Sequence, residues 1–394
     1  MNMYGKIREK TDQHIMQTYN RLPIVLVEGK GAKVWDVDGK EYLDFLSGLG
    51  VDSVGHCHPE VVAAIQDQAA KLLHVSNLYY TEPQANLAEL LMELSPFGQV
   101  FFANSGAEAN EAAIKLARYW GKDQGRFRII TAWHSFHGRT LATITATGQP
   151  KYHKGFEPMM PGFTYVPFGD LVELEKNLSD DVCAIMLEAI QGEGGVNVSP
   201  PDYLQEVRRL CDDTGILLIM DEVQSGLGRT GKWFAFEHFD IIPDICTLAK
   251  ALGGGLPIGA MLAKEDVALL EPGTHASTFG GNPVACAAAI AVISIMQKEG
   301  LLEKAEENGG YLMERLRKVG QTHSVIQEVR GKGLMVGVEF SQEVGPLVSY
   351  FQRQGVLVGT AGPRVLRFLP PLIISRREID KVIDILLEWL TQAE

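Results

Sequence analysis

Short apolar runs alternate with longer amphipathic segments through the middle of the chain. The runs predict strands at 100–102, 127–131, 184–187, 216–220 and 245–248. Helical spacing of apolar residues predicts helices at 60–73, 84–94, 107–119 and 203–213. Strands with little polar alternation that are separated by helices are typical of a mostly parallel sheet covered on both faces. The pattern therefore predicts an α/β fold for this part of the chain.

The two ends of the chain follow a different pattern. Residues 24–27, 32–37 and 42–45 predict a small antiparallel meander with turns at 28–31 and 38–39. Beyond Gly281 the pattern predicts helices at 283–297, 301–319, 344–354 and 376–390, and strands at 325–329 and 333–340. We expect the meander to pack with this second lobe. This gives a large domain at 48–280 and a small α+β domain made of 1–47 and 281–394.

Length and composition limit the classes of protein that remain. A chain of 394 residues is longer than one core usually supports, so two lobes are expected. The net charge of -13 argues against sequence-independent binding of nucleic acid. No apolar run is long enough to predict a membrane span, and residues 1–13 do not resemble a secretory signal. The five cysteines, without a CxxC spacing, are typical of core residues in a reducing compartment, so we expect a cytoplasmic protein.

Lys250 stands between the apolar run 245–248 and the glycines at 253–255. Burying an ammonium group is costly, so a lysine at the end of a buried strand is rarely there for packing. Desolvation lowers the pKa of such an amine and makes it a nucleophile towards carbonyls. The alternative is a lysine that extends from a loop to water.

Asp221 ends another strongly apolar strand, at the sheet edge where open α/β sheets bind ligands. A carboxylate there needs a cation or hydrogen-bond donors. The simpler interpretation is a helix N-cap. Val223 and Gln224 follow, and could pack against one face of a ring and bond a ring hydroxyl.

Residues 104–110 join a strand to a helix. The small residues Ser105, Gly106 and Ala107 expose backbone N–H groups at the positive end of that helix, which predicts a phosphate site. A capping box formed by Ser105 and Glu108 explains the same residues, and the two interpretations are compatible.

The segment 133–140 offers an aromatic ring and a cation. Phe136 could stack on a ligand ring, and Arg139 could clamp a carboxylate through two hydrogen bonds. A metal site is the alternative, built from His56, His58, His134 and His137. These histidines lack a helical i,i+4 face and a carboxylate partner, so we expect no metal.

Two carboxylates, Glu188 and Glu193, lie on a glycine-rich loop after a buried strand and need partners. Arg367 is flanked by apolar residues, so we expect it to be partly buried and to require an anion or a glutamate.

One ligand accounts for these groups together. Pyridoxal 5′-phosphate needs a lysine amine, an acid beside its ring nitrogen, a phosphate cradle and an aromatic contact. Lys250, Asp221, the 105–107 turn and Phe136 supply them, each next to the end of a different predicted strand.

These residues resemble the class-III (ornithine-type) aminotransferases from Leu22-Pro23 to the 369–371 segment. The portion from Asp221 to Lys250 is the most specific, and 105–110 and 275–283 are typical of members that act on acetylated ornithine. The resemblance implies fold type I of the pyridoxal-phosphate enzymes, like aspartate aminotransferase. That fold has a mostly parallel seven-stranded sheet in a large domain, with a smaller α+β domain.

The resemblance also implies roles for the residues. Lys250 carries the cofactor and moves a proton, and Asp221 keeps the ring nitrogen protonated. The implied cofactor contacts are Ser105, Gly106, Ala107, Phe136, Glu188, Asp221, Glu222, Val223, Gln224, Lys250 and, from the neighbouring subunit of a homodimer with shared active sites, Thr278.

The implied substrate contacts are Tyr19, Arg139, Glu193, Ser277 and Arg367. We hypothesise that Arg367 binds the carboxylate beside the reacting amine of glutamate. Glu193 would mask Arg367 when the donor is an ω-amine, and Arg139 would hold the carboxylate at the far end of either substrate. The expected reaction moves the δ-amino group of N2-acetylornithine to 2-oxoglutarate, which yields glutamate.

Three positions depart from the family pattern. Ala189 replaces a frequent proline, Asp52 replaces an uncharged amide, and Leu49 replaces an aromatic hydroxyl of ornithine aminotransferases. Leu49 disfavours the charged α-amine of free ornithine. Alternative donors are succinylornithine, succinyldiaminopimelate, ornithine, lysine-type substrates and 4-aminobutyrate. An aminomutase and a non-catalytic paralogue are the more distant alternatives.

Overall fold

The computed structural model describes residues 3–393. The α-helices are α1 (Met3–His14), α2 (Ser47–Gly50), α3 (Pro59–Lys71), α4 (Glu82–Glu93), α5 (Gly106–Gly121), α6 (Leu141–Ala146), α7 (Leu171–Lys176), α8 (Tyr203–Thr214), α9 (Pro283–Lys298), α10 (Leu301–Thr322), α11 (Gly345–Arg353) and α12 (Arg376–Ala393). The strands are β1 (Leu26–Lys30), β2 (Lys33–Asp36), β3 (Glu41–Asp44), β4 (Gln99–Ala103), β5 (Arg128–Ala132), β6 (Phe163–Val166), β7 (Val182–Leu187), β8 (Ile190–Gln191), β9 (Asn197–Val198), β10 (Leu217–Asp221), β11 (Ile245–Leu248), β12 (Gly259–Ala263), β13 (Ile326–Lys332), β14 (Met335–Phe340), β15 (Val356–Leu357), β16 (Gly359–Thr360) and β17 (Val365–Phe368).

The largest sheet has seven strands in the order β4-β12-β11-β10-β7-β5-β6. Only β12 runs against its neighbours, β11 and β4. All six residues of β7 and all five of β10 are buried, as expected for strands with helices on both faces. The prediction of a mostly parallel, seven-stranded α/β sheet is confirmed.

The carboxyl ends of β4, β7, β10 and β11 lie at one edge of this sheet, because these strands are parallel. The loops that follow them begin with Asn104, Glu188, Glu222 and Ala249. Groups that are far apart in sequence are therefore brought to one edge, where open α/β sheets bind ligands.

The N-terminal meander belongs to a second sheet, in the order β1-β2-β3-β15. Its strand β3 pairs in parallel with β15, with Leu43 opposite Val356, so the meander is attached to the C-terminal lobe as expected. A third sheet, β13-β14-β17-β16, lies in that lobe and carries Arg367 on β17. The domain boundaries at 48 and 280 stay a prediction.

The first strand differs from its prediction. It runs from Leu26 to Lys30, and Gly29 pairs with Val34, so the predicted turn at 28–31 is mostly strand. A bulge between Leu26 and Glu28 shifts the register, which the short apolar run could not reveal. The strands β6, β8, β9, β12, β15, β16 and β17 and the helices α2, α6 and α7 were not predicted.

Helix α1 forms from the polar opening segment and has no buried residue. Within residues 3–393, no single helix combines the length and apolar character needed to cross a membrane. Helices α9 and α10 have the required length and apolar character only when they are taken together, and this pair is bent by 67°.

Candidate active site

A cavity of about 460 Å³ opens at the carboxyl edge of the large sheet. The predicted groups that line it are Ser105, Gly106, Ala107, Phe136, Arg139, Glu188, Glu193, Asp221, Val223, Gln224 and Lys250. They come from five loops that the fold brings together, so the expected convergence at one site is seen.

Lys250 lies at the start of a single 3-10 turn that follows β11. Its φ of 40° is in the left-handed region, which is rare for a residue with a side chain and costs of order 1–3 kcal/mol. The turn closes through Gly254 and Gly255, both with positive φ. Removal from bulk water lowers the pKa of Lys250 to about 8, although the charge of Glu193 works against that shift. An amine with this pKa is partly neutral near neutral pH and can accept a proton.

Asp221 is held by a buried network at the end of β10. Its Oδ2 accepts a hydrogen bond from Asn110 Nδ2 at 2.7 Å and lies 2.8 Å from His137 Nδ1. Its Oδ1 accepts from the backbone N–H of Val223 at 3.0 Å. The Asp221 side chain is only 4 % exposed, so the network fixes it in one orientation.

Asn110 is itself fixed on three sides. Its Oδ1 accepts from Thr247 Oγ1 at 2.6 Å, and its Nδ2 also donates to the carbonyl of His137 at 2.7 Å. Asn110 thus joins α5, β11 and the loop after β5 around the carboxylate of Asp221. We did not predict this role, although Asn110 belongs to the 104–110 motif.

The N-terminus of α5 provides the predicted anion cradle. Ser105 is the N-cap, and its Oγ accepts from the backbone N–H of Glu108 at 3.2 Å. The Glu108 side chain reaches back to the N–H of Asn104, at 2.6 Å, rather than to that of Ser105. The N–H groups of Gly106 and Ala107 belong to the first turn and have no intrahelical acceptor. A Cβ on Gly106 would lie 2.7 Å from Val223, so the close approach of these two loops requires glycine.

Phe136 and Arg139 lie at the mouth of the cavity. The Arg139 guanidinium carbon is 5.4 Å from the centroid of the Phe136 ring and 4.0 Å from that of Tyr152. Phe136 is half-buried and Arg139 is exposed. The aromatic ring and the cation expected from the sequence are therefore present side by side, with Tyr152 as an unpredicted neighbour.

Glu193 and Arg367 form the expected pair. Arg367 Nη1 donates to Glu193 Oε1 at 2.5 Å and to the carbonyl of Gly192 at 3.1 Å. The Arg367 side chain is 2 % exposed and that of Glu193 is 25 % exposed. Burial alone would raise the pKa of Glu193, but the charges of Arg367 and Lys250 outweigh it and lower that pKa.

Gln224 bridges this pair. Its Nε2 donates to Glu193 Oε1 at 3.1 Å, and its Oε1 accepts from Arg367 Nη1 at 3.3 Å. The amide therefore contacts both charged groups in this structure, besides lining the cavity.

Two predicted carboxylates have different surroundings. Glu188 lines the cavity and accepts from the N–H of Phe136 at 3.1 Å. Burial, with the nearby charge of Asp221, raises the pKa of Glu188 well above its ordinary value. Glu222 does not line the cavity.

The carboxylate of Glu222 instead accepts from Ser225 Oγ and from the N–H groups of Ala235 and Phe236, at 2.6 to 3.1 Å. Burial raises the pKa of Glu222 to about 7. Direct contact with a cofactor is not supported for Glu222, because these bonds anchor its side chain to the 235–236 backbone.

Arg367 does not line the cavity itself and reaches it only through Glu193 and Gln224. Tyr19, Ser277 and Thr278 also lie outside the cavity lining of their own chain. Tyr19 lines a separate groove beside α1, where Arg21 lies over its ring. Ser277 Oγ accepts from the N–H of Gly280 at 2.9 Å and from Nδ2 of the cavity-lining Asn104 at 3.3 Å. Thr278 is exposed. Within one chain, none of Tyr19, Ser277 and Thr278 completes the cavity.

The three departures from the family pattern are also placed. Ala189 is fully buried after β7. Asp52 lies 3.8 Å from His56, and burial raises its pKa. Leu49 is 45 % exposed and lies in α2, where residues 47–50 all have positive φ. Val51, two residues later, lines the cavity while Leu49 does not.

His56 and His137, which were considered for a metal site, pair with carboxylates. His56 Nε2 lies 2.8 Å from Asp44, and His137 contacts Asp221. In the part of the chain that the structure describes, no three or more His, Cys, Asp and Glu residues are grouped as a metal would need.

The residues present fit pyridoxal phosphate. The cavity brings together a lysine of lowered pKa, a buried hydrogen-bonded carboxylate and the first turn of a helix. Lys250 would carry the cofactor, Asp221 would pair with its ring nitrogen, and Gly106 and Ala107 would bind its phosphate. A fold and site of this kind define an amino-group transferase.

Comparison with known proteins supports the assignment to the amino-group transferases. The family model "Aminotransferase class-III" matches residues 15–390, and the chain belongs to this family of pyridoxal-phosphate-dependent aminotransferases. An acetylornithine aminotransferase of Caldanaerobacter subterraneus subsp. tengcongensis is 53 % identical over 96 % of this chain and 98 % of its own.

Solved structures are similar over the whole chain. The ornithine aminotransferase of Toxoplasma gondii ME49 is 36 % identical, with a TM-score of 0.95 over 100 % of this chain and 96 % of that one. The acetylornithine aminotransferase of Elizabethkingia anophelis is 34 % identical, with a TM-score of 0.88 over the full length of both chains.

Proposed function

We propose that this aminotransferase moves the δ-amino group of N2-acetylornithine to 2-oxoglutarate. The products are N-acetylglutamate 5-semialdehyde and glutamate, and the reaction belongs to arginine biosynthesis. Curated relatives that are about half identical over nearly the whole chain carry the name acetylornithine aminotransferase, which supports this choice of donor.

The observation that carries the proposal is a pair of arginines in different settings. Arg367 lies behind the cavity-lining residue Glu193, whereas Arg139 lines the cavity. Arg367 is buried and neutralised by Glu193, whereas Arg139 is exposed and has no acidic partner among residues 3–393. An amino donor whose reacting end has no carboxylate needs the first arginine masked and the second one free. N2-acetylornithine is such a donor, because its only carboxylate is far from the δ-amine.

The second substrate uses the same cavity differently. 2-Oxoglutarate has a carboxylate beside its reacting carbon, and that carboxylate replaces Glu193 at Arg367. The other carboxylate goes to Arg139, as in the first half of the reaction. A buried guanidinium left without any anion would cost several kcal/mol, so Glu193 must return when the ω-amine binds.

Lys250 is the proton carrier of the proposal. Bound pyridoxal phosphate withdraws electrons from the substrate carbon that bears the amino group, which makes a proton on that carbon acidic. The Nζ of Lys250 would take this proton from the substrate carbon and deliver it to the C4′ carbon of the cofactor, and it would move a proton the opposite way in the second half of the reaction. The lowered pKa of Lys250, about 8, favours this role near neutral pH. Asp221, held in one orientation by Asn110 and His137, would pair with the ring nitrogen of the cofactor.

A two-fold homodimer with shared active sites is part of the proposal. An apolar surface suits this assembly, and its exposed side chains are Leu72, Leu73, Leu78, Tyr79, Tyr80 and Phe279. Asn77 Nδ2 donates to the carbonyls of Ser277 and Gly280, so the two loops of this surface are tied together. Thr278 lies on it, where it could reach the cavity of a second copy.

Tyr80→Asp should convert a dimer into a monomer in light scattering, and an unchanged mass would contradict this interface.

The proposal also includes a cytoplasmic location. All five cysteines are free thiols, and four of them are buried, which suits a reducing compartment.

Free ornithine is the second candidate donor, because ornithine aminotransferases are close in structure. The test is kcat/KM for N2-acetylornithine, ornithine, succinylornithine, succinyldiaminopimelate and 4-aminobutyrate, each with 2-oxoglutarate. We expect N2-acetylornithine to have the highest value. If ornithine is preferred, both the donor and the interpretation of Leu49 are wrong.

A further inference from the structure

Arg139 is supported by aromatic rings rather than by a carboxylate. Its guanidinium carbon lies 4.0 Å from the centroid of the Tyr152 ring and 5.4 Å from that of Phe136. The two rings meet edge to face, with centroids 5.8 Å apart and an interplanar angle of 82°. Arg139 is exposed, and within residues 3–393 it forms no ion pair. In a chain with a net charge of -13, such an arginine is available to an anion.

A ring is a suitable support for an arginine that must bind an anion. Cation–π contact uses the face of the guanidinium and leaves the N–H groups on its edge free for a carboxylate. A carboxylate partner from the chain would occupy those same N–H groups. The ring also restricts a flexible side chain, so less conformational entropy is lost when the anion binds.

Tyr152 is itself held firmly. It ends a 3-10 turn that begins at Pro150, and its N–H donates to the carbonyl of Gln149 at 2.9 Å. The next residue, His153, lies with Nε2 at 2.9 Å and 2.8 Å from the carbonyls of Ile144 and Thr147. The Tyr152 ring does not line the cavity, so it would act through Arg139.

A second cation lies on the same ring. Lys151 Nζ is 4.7 Å from the centroid of Tyr152. Two positive charges, those of Arg139 and Lys151, therefore lie around one tyrosine ring, in a protein whose overall charge repels anions.

We propose that Tyr152 is a positioning residue that orients Arg139 towards the carboxylate that both substrates carry at the end remote from the reacting carbon. This inference rests on the proposed function, in which Arg139 receives the α-carboxylate of N2-acetylornithine and the γ-carboxylate of 2-oxoglutarate. It names a determinant of substrate binding that lies outside the cavity wall.

The test compares Tyr152→Leu with Tyr152→Phe in the holoenzyme. Leucine removes the ring, whereas phenylalanine keeps it and removes only the hydroxyl. We expect Tyr152→Leu to raise KM for N2-acetylornithine and for 2-oxoglutarate about fivefold to tenfold, with kcat changed less than about twofold. Tyr152→Phe should restore KM to within about twofold of the wild-type value. n-Pentylamine has no carboxylate, so its kcat/KM should be the same in Tyr152→Leu and in the wild type.

Binding of glutarate, measured by calorimetry, gives a readout that needs no turnover. Its dissociation constant should rise about fivefold in Tyr152→Leu and stay near the wild-type value in Tyr152→Phe. Lys151→Gln is the matched control for charge, and it should raise the dissociation constant of glutarate less than Tyr152→Leu does. If Tyr152→Leu does not fold, Tyr152→Met serves in its place.

Two results would overturn the role of Tyr152. One is an unchanged glutarate dissociation constant in Tyr152→Leu. The other is an equal loss of kcat/KM with n-pentylamine and with N2-acetylornithine, because that would indicate general damage to the site. Failure of the proposed function would look different, since the wild type itself would not use N2-acetylornithine while the glutarate comparison could still be made.

Discussion

Two groups of charged residues around the cavity handle charge in opposite ways. We call the residues around Lys250 and Asp221 the reacting end, and the residues that receive the substrate carboxylates, Arg139 and the Glu193–Arg367 pair, the substrate end. At the reacting end, the carboxylate of Asp221 is buried and receives hydrogen bonds on both oxygens, and Asn110 uses both its donor and its acceptor. At the substrate end, Arg139 is exposed and contacts two aromatic rings. The charge of Arg367 is neutralised by a single carboxylate, that of Glu193, whose side chain is 25 % exposed.

This difference separates chemistry from recognition. A buried network of several hydrogen bonds holds one arrangement, which suits groups that must act in the same way in both half-reactions. A cation whose anionic partner can leave is suited to exchange that partner for a substrate. Changes at the reacting end should therefore lower the rates with all substrates, and changes at the substrate end should distinguish between them.

Lys250→Ala tests the reacting end most strongly. It removes the amine that moves the proton, so kcat should fall by about 10⁴-fold with every donor and acceptor. Steady-state assays with N2-acetylornithine and with glutamate measure this, and Lys154→Ala, which removes an exposed lysine, is the control that should keep full activity. If the variant retained a tenth of the wild-type rate, Lys250 would not be the group that moves the proton.

Asn110→Leu tests whether the buried network matters beyond Asp221 itself. Leucine has a similar shape but leaves Asp221 and Thr247 each without one hydrogen-bond partner. We expect kcat to fall about 30-fold in both half-reactions, and the free energy of unfolding to fall by about 2 kcal/mol. Single-turnover rates and denaturant unfolding check these values. A loss confined to one half-reaction would contradict the division between the two ends.

Glu193→Ala tests the substrate end. Without the carboxylate, Arg367 is free to attract the α-carboxylate of glutamate but is left unpaired when an ω-amine binds. The ratio of single-turnover rates should shift by about tenfold in favour of glutamate over N2-acetylornithine, equivalent to about 1.4 kcal/mol. Glu193→Gln keeps the shape without the charge and should shift the ratio in the same direction. If both half-reactions slow equally, Glu193 does not act as a gate.

The smallest expected effect concerns pH and the cofactor-free protein. The pKa of Lys250 is about 8 in the folded chain and 10.5 when unperturbed, so between these values the unfolded chain binds more protons. Stability should therefore rise with pH across this window, and below it the full cost of burying the charge remains. Lys250→Met removes that cost.

The cofactor-free Lys250→Met protein should therefore melt about 5 °C above the wild type near pH 7, and the gap should close towards pH 10.5. Thermal melting at several pH values measures it. A gap that is constant with pH would show that Lys250 is not desolvated.

The sequence was most informative about residues with reactive or ligand-binding groups that lie at or directly after the end of an apolar strand. Lys250, Asp221 and the 105–107 turn could be predicted because each follows an apolar strand, and parallel strands bring such positions to one edge. The Glu193–Arg367 pair was predicted from the resemblance, together with the cost of burying an arginine among apolar residues.

Other features depend on tertiary structure that sequence spacing does not contain. Glu222 adjoins Asp221, but neighbouring side chains at a strand end point in opposite directions, and Glu222 bonds the 235–236 backbone. Asn110 and Tyr152 were missed because their partners lie at least 13 residues away in sequence. A signal for Asn110 was available, since a polar side chain on a buried helix face needs a partner.

The most direct test of the account follows the visible absorption of the purified holoenzyme as the two substrates are added in turn. N2-acetylornithine alone should bleach the band of the lysine-bound cofactor within one turnover, and 2-oxoglutarate should then restore it. Free ornithine should bleach it more slowly at the same concentration. A band that N2-acetylornithine leaves unchanged, or that ornithine bleaches faster, would contradict the assignment of N2-acetylornithine as the amino donor.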